Sequence, residues 1–236
     1  MKIVHIAPNA PYNEGWGYQE NLLTKYQVRA GNDVTLIIRN EKHEDGRIIK
    51  TPLEDYVSSD GFRVIRLEPI KDKVFSFAEK LKVFDILKKE SPDLVFYHGL
   101  VSTTIFDVVK YKKKINPGCI IVQDNHLDYN IGVRVKTFKQ KVLRAFYRII
   151  FKLTQKNISK VYGVTPWRKK YVEDYFKVPS KMTDVLIMGA DDEKIDFQNR
   201  DTIRKNIREK YSVSEDEFLI VTGGKVDKNK KIHLLM

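Results

Sequence analysis

Cysteine is nearly absent from this chain: Cys119 is its one example among 236 residues. No internal disulfide can form, and a reducing compartment such as the cytoplasm is the expected setting. Long apolar runs are missing too, and no segment approaches the eighteen or so apolar residues needed to cross a bilayer. The opening MKIVHIAPNAP carries an apolar run too short for a signal peptide and reads as a buried strand. Acidic residues are missing from 129–172, which holds twelve Lys or Arg and no Asp or Glu. That block accounts for the whole net charge of +12, so the rest of the chain is neutral. It points to an anionic partner: membrane lipid, nucleic acid or a phosphorylated substrate. Neither GxGxxG nor GxxxxGK[ST] occurs, and no RNP or zinc-finger pattern supports nucleic-acid binding. Histidines and cysteines are too few, and wrongly spaced, for a zinc site.

What is present is an alternation of strand and helix. KIVHIA (2–7) is an apolar run ended by Pro8, and 17–30 has helical spacing stopped by Gly31 and Asn32. DVTLIIR (33–39), FRVIRL (62–67), DLVFY (93–97), CIIVQ (119–123), VYGVT (161–165) and DVLIM (184–188) read as strands. Helical spacing is predicted over 75–90, 101–113, 134–157, 167–176 with Pro166 in its first turn, and 200–211. Residues 40–61 are polar and read as an irregular loop. This alternation predicts an α/β fold with a doubly wound parallel sheet covered on both faces. A Rossmann-like domain is expected over 1–190. Residues 191–236 are expected to be a connection and the first elements of a second domain, opened by a strand at 217–222.

Ligands of such sheets bind where the strands end. Three unusual loops fall there. APNAPYNEGWGYQEN follows the first strand, with Gly15 and Gly17 just before a helix. It reads either as an ordinary glycine turn or as a place where backbone and helix N-terminus meet an anion. YHGL carries His98, and QDNHLDYN carries Asp124, Asn125, His126 and Asp128. A histidine at a strand end either packs or donates to a substrate oxygen, and two at neighbouring strand ends favour a site. His5, inside the first strand, reads as packing. The terminal GGKVDKNKK, with Gly223, Gly224, Lys225 and Lys230, is either a solvated turn or a grip for a diphosphate.

Together these pieces resemble the retaining glycosyltransferases of family 4, which have the GT-B fold. EGWGYQENLL with GNDVTLI is similar to the family's glycine loop, first helix and second strand. PDLVFYHG and VQDNHLD are similar to its next two strand motifs. YGVTPWRKKYVEDYF and DVLIMGADDEKIDF resemble the end of its acceptor domain, and GGKVDKNKKIHLL resembles the start of its donor domain. The resemblance implies transfer of a sugar from a nucleotide-sugar to a glycan or lipid-linked acceptor, with retention. It requires no metal and no cofactor beyond the donor substrate. His126 would be the catalytic contact to the donor sugar. Gly15, Trp16, Gly17, Lys225 and Lys230 would hold the donor diphosphate. Tyr12, Asn13, His98 and Asn125 fall, by position, on the acceptor side. Two departures stand out: Trp16 interrupts the usual Gly-Gly, and Lys225 replaces an Arg, losing a planar fork. The family's paired-glutamate motif would lie beyond Met236, so these 236 residues are expected to be inactive alone.

The predicted helix 134–157 sets Val135, Phe138, Val142, Phe146, Ile149 and Leu153 on one face, expected to pack on the sheet. Arg134, Lys141, Arg144, Arg148 and Lys152 lie opposite, flanked by Tyr147 and Phe151. Acceptor domains of the resembled family dock on anionic membranes, so peripheral attachment to a cytoplasmic membrane face is expected. Competing readings are a GT-B sugar-nucleotide epimerase, a basic nucleic-acid- or membrane-binding domain, and a non-catalytic glycan-binding domain.

Overall fold

The computed structural model describes residues 1–75, 77–128 and 137–221, with Lys139 described by its backbone alone. The chain divides into two compact units, Met1–Ala190 and Asp191–Met236.

The first unit opens with β1 (Lys2–Ala7), α1 (Gln19–Arg29) and β2 (Asp33–Arg39). A hairpin of β3 (Glu41–Glu44) and β4 (Arg47–Lys50) follows, then β5 (Asp55–Val57) and β6 (Arg63–Leu67). Next come the short β7 (Ile70–Lys71) and β8 (Glu79–Lys80), α2 (Phe84–Glu90), β9 (Leu94–Tyr97) and α3 (Ile105–Lys114). The unit continues through β10 (Ile120–Asn125), α4 (Phe138–Thr154), β11 (Lys160–Gly163), α5 (Pro166–Phe176) and β12 (Thr183–Val185). Eight strands form one sheet in the order β12-β11-β10-β9-β1-β2-β6-β5. All its pairings are parallel except β5 against β6. This is the Rossmann-like α/β architecture that the alternation predicts.

The strands are apolar on both sides because both faces are covered. In β1, Val4 and Ile6 join the larger core with Leu87 of α2 and Val108 of α3. Ile3 and Ala7 point the other way and join a second cluster with Leu36 and Val64. Helix ends follow their local chemistry. Thr137 caps α4 in a reciprocal capping box: its Oγ1 accepts from Gln140 N–H, and Gln140 Oε1 accepts from Thr137 N–H. Thr165 caps α5 with Pro166 in the first turn.

Three expectations are corrected. Residues 40–61 are not an irregular loop. Asp45 and Gly46 both adopt positive φ (47° and 75°), the two-residue turn that lets β3 and β4 pair. The helix predicted over 75–90 forms only from Phe84. Upstream, the Asp72 carboxylate accepts from Val74 and Phe75 N–H, which holds that backbone in a turn. Of the apolar face expected to pack from α4, Phe146 alone among its described residues reaches the core. Ile150 and Phe151 are buried, whereas Phe138, Val142, Ile149 and Leu153 are exposed.

The second unit contains α6 (Arg200–Lys210). Buried Arg208 ties it to the following turn, donating to the carbonyls of Ser214 and Glu217. Residues 218–221 take no strand, since no other strand among the described residues pairs with them. Gly223, Gly224, Lys225, Lys230, Arg134 and Val135 lie outside the described residues.

Candidate functional site

The sheet order reverses between β1 and β9: the chain first builds outward through β2, then returns to the other side of β1. A crevice at such a switch point is where open parallel sheets hold ligands. A cleft of about 220 Å³ lies there, lined by residues after β1 (Asn9, Ala10), after β9 (His98 to Val101) and around the end of β10 (Asn125, His126, Leu127), with Glu20 of α1.

Strand register explains which side chains meet. His5 pairs with Phe96, which pairs with Val122. Continuing two residues along each strand sets His98 beside Asp124 on the same face, because side chains alternate. The contacts follow. His98 Nδ1 lies 2.8 Å from Asp124 Oδ2, and Gly99 N–H donates to Asp124 Oδ1 at 2.8 Å. Gly99 turns back to do so at φ 91°, and its Cα faces open space. His126 Nε2 is 3.4 Å from the same Asp124 Oδ2. Behind them, His98 Nε2 is 3.0 Å from His5 Nδ1, and His5 Nε2 is 2.6 Å from Gln27 Oε1.

Charge follows burial and partners. Burial opposes the Asp124 anion, but the His98 and His126 rings more than offset it, holding the carboxyl well below the usual range. Burial likewise opposes the His98 cation, and Asp124 outweighs it, so the ring's pKa is raised. His5 has no such carboxylate beside it. Burial first, then the His98 charge, lowers its pKa to about 3.

The sequence-derived candidates are distributed unevenly. His98, Asn125 and His126 line the cleft. The Asn125 amide is engaged, donating to the Leu127 and Arg168 carbonyls. Tyr12 is buried in the second core cluster, its N–H on Glu41 O and its ring beneath Arg66. Asn13 behaves as a piece of strand: its amide donates to His43 O and accepts from His43 N–H, both at 2.7 Å. Trp16 stacks on His43 with centroids 5.4 Å apart and is 37% exposed. The glycine loop is thereby fastened to the β3–β4 hairpin. Gly17 borders a separate apolar hollow of about 140 Å³ with Leu22, Tyr26 and Ile187. On α4, Lys141, Arg148 and Lys152 are exposed and Arg144 is half-buried, with Arg144 and Arg148 over the Tyr175 ring.

Sequence reasoning missed Asp124 as the centre, and His5 and Gln27 as members. The available signal was His5 itself, a titratable group with apolar neighbours on both sides in its strand, which requires a partner when buried.

Comparison with known proteins adds the family. A model described as Glycosyltransferase Family 4 matches residues 21–194. No curated protein matches. A solved glycosyltransferase from Rickettsia africae ESF-5 is similar at 14% identity and TM-score 0.53, covering 91% of this chain and 50% of that one. A UDP-GlcNAc 2-epimerase from Neisseria meningitidis, bound to UDP-GlcNAc, aligns at 12% identity and TM-score 0.43, covering 92% of this chain and 54% of that one. The chain therefore spans about half the length of these solved structures, and at such identities the likeness to the first is one of fold. With nearly three quarters of its length inside the family model, the chain belongs to Glycosyltransferase Family 4.

Proposed function

We propose that this chain is the acceptor-side part of a retaining glycosyltransferase that moves a sugar from a nucleotide-sugar to a glycan or lipid-linked acceptor. The observation that carries the reading is the switch-point cleft with His126 at its wall, hydrogen-bonded to a buried carboxylate. In this reading His126 contacts the donor sugar at the reacting centre. The loop of Gly15, Trp16 and Gly17 covers the donor, and Lys225 and Lys230 neutralise the diphosphate that leaves. Asn13 and Tyr12 shape the loop from behind, and His98 and Asn125 shape the cleft floor. The residues themselves supply the charge stabilisation, and the nucleotide-sugar is the substrate.

The test is transfer of labelled sugar by the complete enzyme, scanned over nucleotide-sugars, with the anomeric configuration of the product read by NMR. His126→Ala is expected to abolish transfer and preserve the circular dichroism spectrum. Near-normal turnover rejects the assigned role, and an inverted product rejects retention.

A second feature favours a membrane-bound setting. No helix among the described residues is long and apolar enough to cross a membrane. The outer side of α4, however, exposes Phe138 (80%) and Leu153 (64%) beside Lys141, Arg148 and Lys152. A groove of about 440 Å³ lined by Arg148, Lys152 and Lys177 runs along it. Apolar side chains can enter the acyl boundary while each cation near an anionic surface adds about 1 kcal/mol. This supports peripheral attachment to a cytoplasmic membrane face, where a lipid-linked acceptor is found. Vesicles rich in phosphatidylserine should sediment the protein, and Phe138→Ser with Leu153→Ser should release it. Sedimentation independent of anionic lipid and salt removes the idea.

A further inference from the structure

The buried polar chain behind the cleft has a definite proton count. Gln27 Oε1, a carbonyl oxygen, can only accept, so His5 Nε2 must donate to it at 2.6 Å. A neutral His5 then has no proton on Nδ1, which must accept from His98 Nε2 at 3.0 Å. An ionised Asp124 can only accept, so His98 Nδ1 must donate to it at 2.8 Å. Both ring nitrogens of His98 therefore carry protons. The same carboxylate takes a second donor in Gly99 N–H and a third, longer one in His126 Nε2 at 3.4 Å.

We infer that His98 is a charged imidazolium inside the fold, paired with Asp124, and that this pair, with His5 and Gln27 behind it, fixes the tautomer of His126. With Nε2–H directed at Asp124, a neutral His126 presents Nδ1 as an acceptor on a ring that lines the cleft. That atom suits a hydroxyl or another donor, not an anionic oxygen. Asp124, His98, His5 and Gln27 act through His126 and are positioning residues.

The groups around the pair support the assignment. From α1, Glu20 adds a negative charge that favours the His98 cation, and Gln27 supplies the acceptor that commits His5. From β1 and β9, His5 and Phe96 stack with centroids 5.1 Å apart, and Phe96 lies 4.8 Å from the His98 ring, excluding water. From β10 comes Asp124, with His126 just beyond. Removal of a single acceptor at the far end should be enough to change the count. If Gln27 could not accept, His5 could place its proton on Nδ1 and donate to His98, which would then become neutral.

The inference rests on the glycosyl-transfer reading only for what the cleft receives. Its test uses no donor sugar, so the two can fail separately. The chain has five histidines, which allows the ring nitrogens to be assigned by substitution. Nitrogen-15 spectra of the labelled protein at about pH 7.5 should show His98 protonated on both nitrogens and His126 as the Nε2–H tautomer. In Gln27→Leu, His98 should lose one ring proton while the circular dichroism spectrum is unchanged. In Asp124→Asn, His98 should become neutral and His126 should show averaged tautomers. A wild-type His98 with one bare nitrogen overturns the inference. So does a His98 signal that stays doubly protonated in both variants, because a purely structural pair would not respond to Gln27.

Discussion

The acid side of the stability profile should be governed by His5. In the folded chain burial and the neighbouring His98 charge lower its pKa from the ordinary 6.5 to about 3. The unfolded chain binds a proton there below about pH 6.5, and the folded chain does not, so stability falls as pH drops through this window. The slope approaches about 1.4 kcal/mol per pH unit once the unfolded ring is protonated, which gives roughly 2.3 kcal/mol between about pH 6.5 and about pH 4.5. Its two neighbours act elsewhere. The raised His98 contributes stability that is complete below about pH 6.5 and is lost as pH rises through its folded value. The depressed Asp124 contributes stability that is present above the ordinary carboxylate range and is lost only in stronger acid. The perturbation is His5→Gln, which keeps an acceptor for His98 and removes the titration. Urea unfolding of both proteins at both pH values gives a double difference in which every other group cancels. The wild type should lose about 2–3 kcal/mol more than the variant. A double difference below about 1 kcal/mol would mean that His5 is protonated, or hydrated, within the folded state, and would refute the reasoning.

Other perturbations read other parts of the structure. At Gly163 in β11 a Cβ would stand 2.1 Å from the Lys169 backbone nitrogen of α5. Gly163→Ala should therefore cost about 3 kcal/mol, and a urea midpoint within error of wild type would show that α5 can slide away. Burial raises the Cys119 thiol to about 11. A thiol reagent at neutral pH should modify it only at the rate of unfolding, and prompt labelling of the folded protein would contradict its burial. Asn13→Ala removes both hydrogen bonds that join the glycine loop to the hairpin and should cost about 2 kcal/mol. In the complete enzyme it should raise the donor KM more than it lowers kcat. A change in kcat alone would separate the loop from donor binding.

Much of the sheet was legible because its signal is local. β1, β2, β9 and β10 are apolar runs bounded by Pro, Gly or Asp, and a strand covered on both faces needs nothing subtler. The carboxyl edge of the sheet, and with it His98 and His126, followed from strand order alone. The hairpin at 41–50 was legible and overlooked: Asp45-Gly46 between paired runs is a two-residue turn signal, masked by the polar composition of an exposed ribbon. The face of α4 could not be read. Its periodicity offers two stripes, and the one that packs is fixed by partners distant in sequence, such as Phe151 against Phe176 of α5. Composition favoured the longer apolar stripe, which the fold leaves exposed except at Phe146.

The proton chain was hidden for a different reason. Its members are separated by 22, 93 and 26 residues along the chain. No spacing rule joins them, and each alone reads as ordinary packing. What joins them is the parallel register, which carries His5, His98 and Asp124 onto one face at three neighbouring strands, with His126 just past the end of β10 and Gln27 added from α1. The same register explains why the site tolerates so much buried polarity. A lone charge there would cost several kcal/mol, but Asp124 receives two close donors and His98 meets an acceptor at each nitrogen. The stabilising pair and the group at the cleft share one carboxylate oxygen. Any substitution that alters the core charge balance must therefore also alter His126, even without touching the cleft. Stability and activity variants should coincide at Asp124 and separate at Ile121 of the same strand, which meets the apolar core alone.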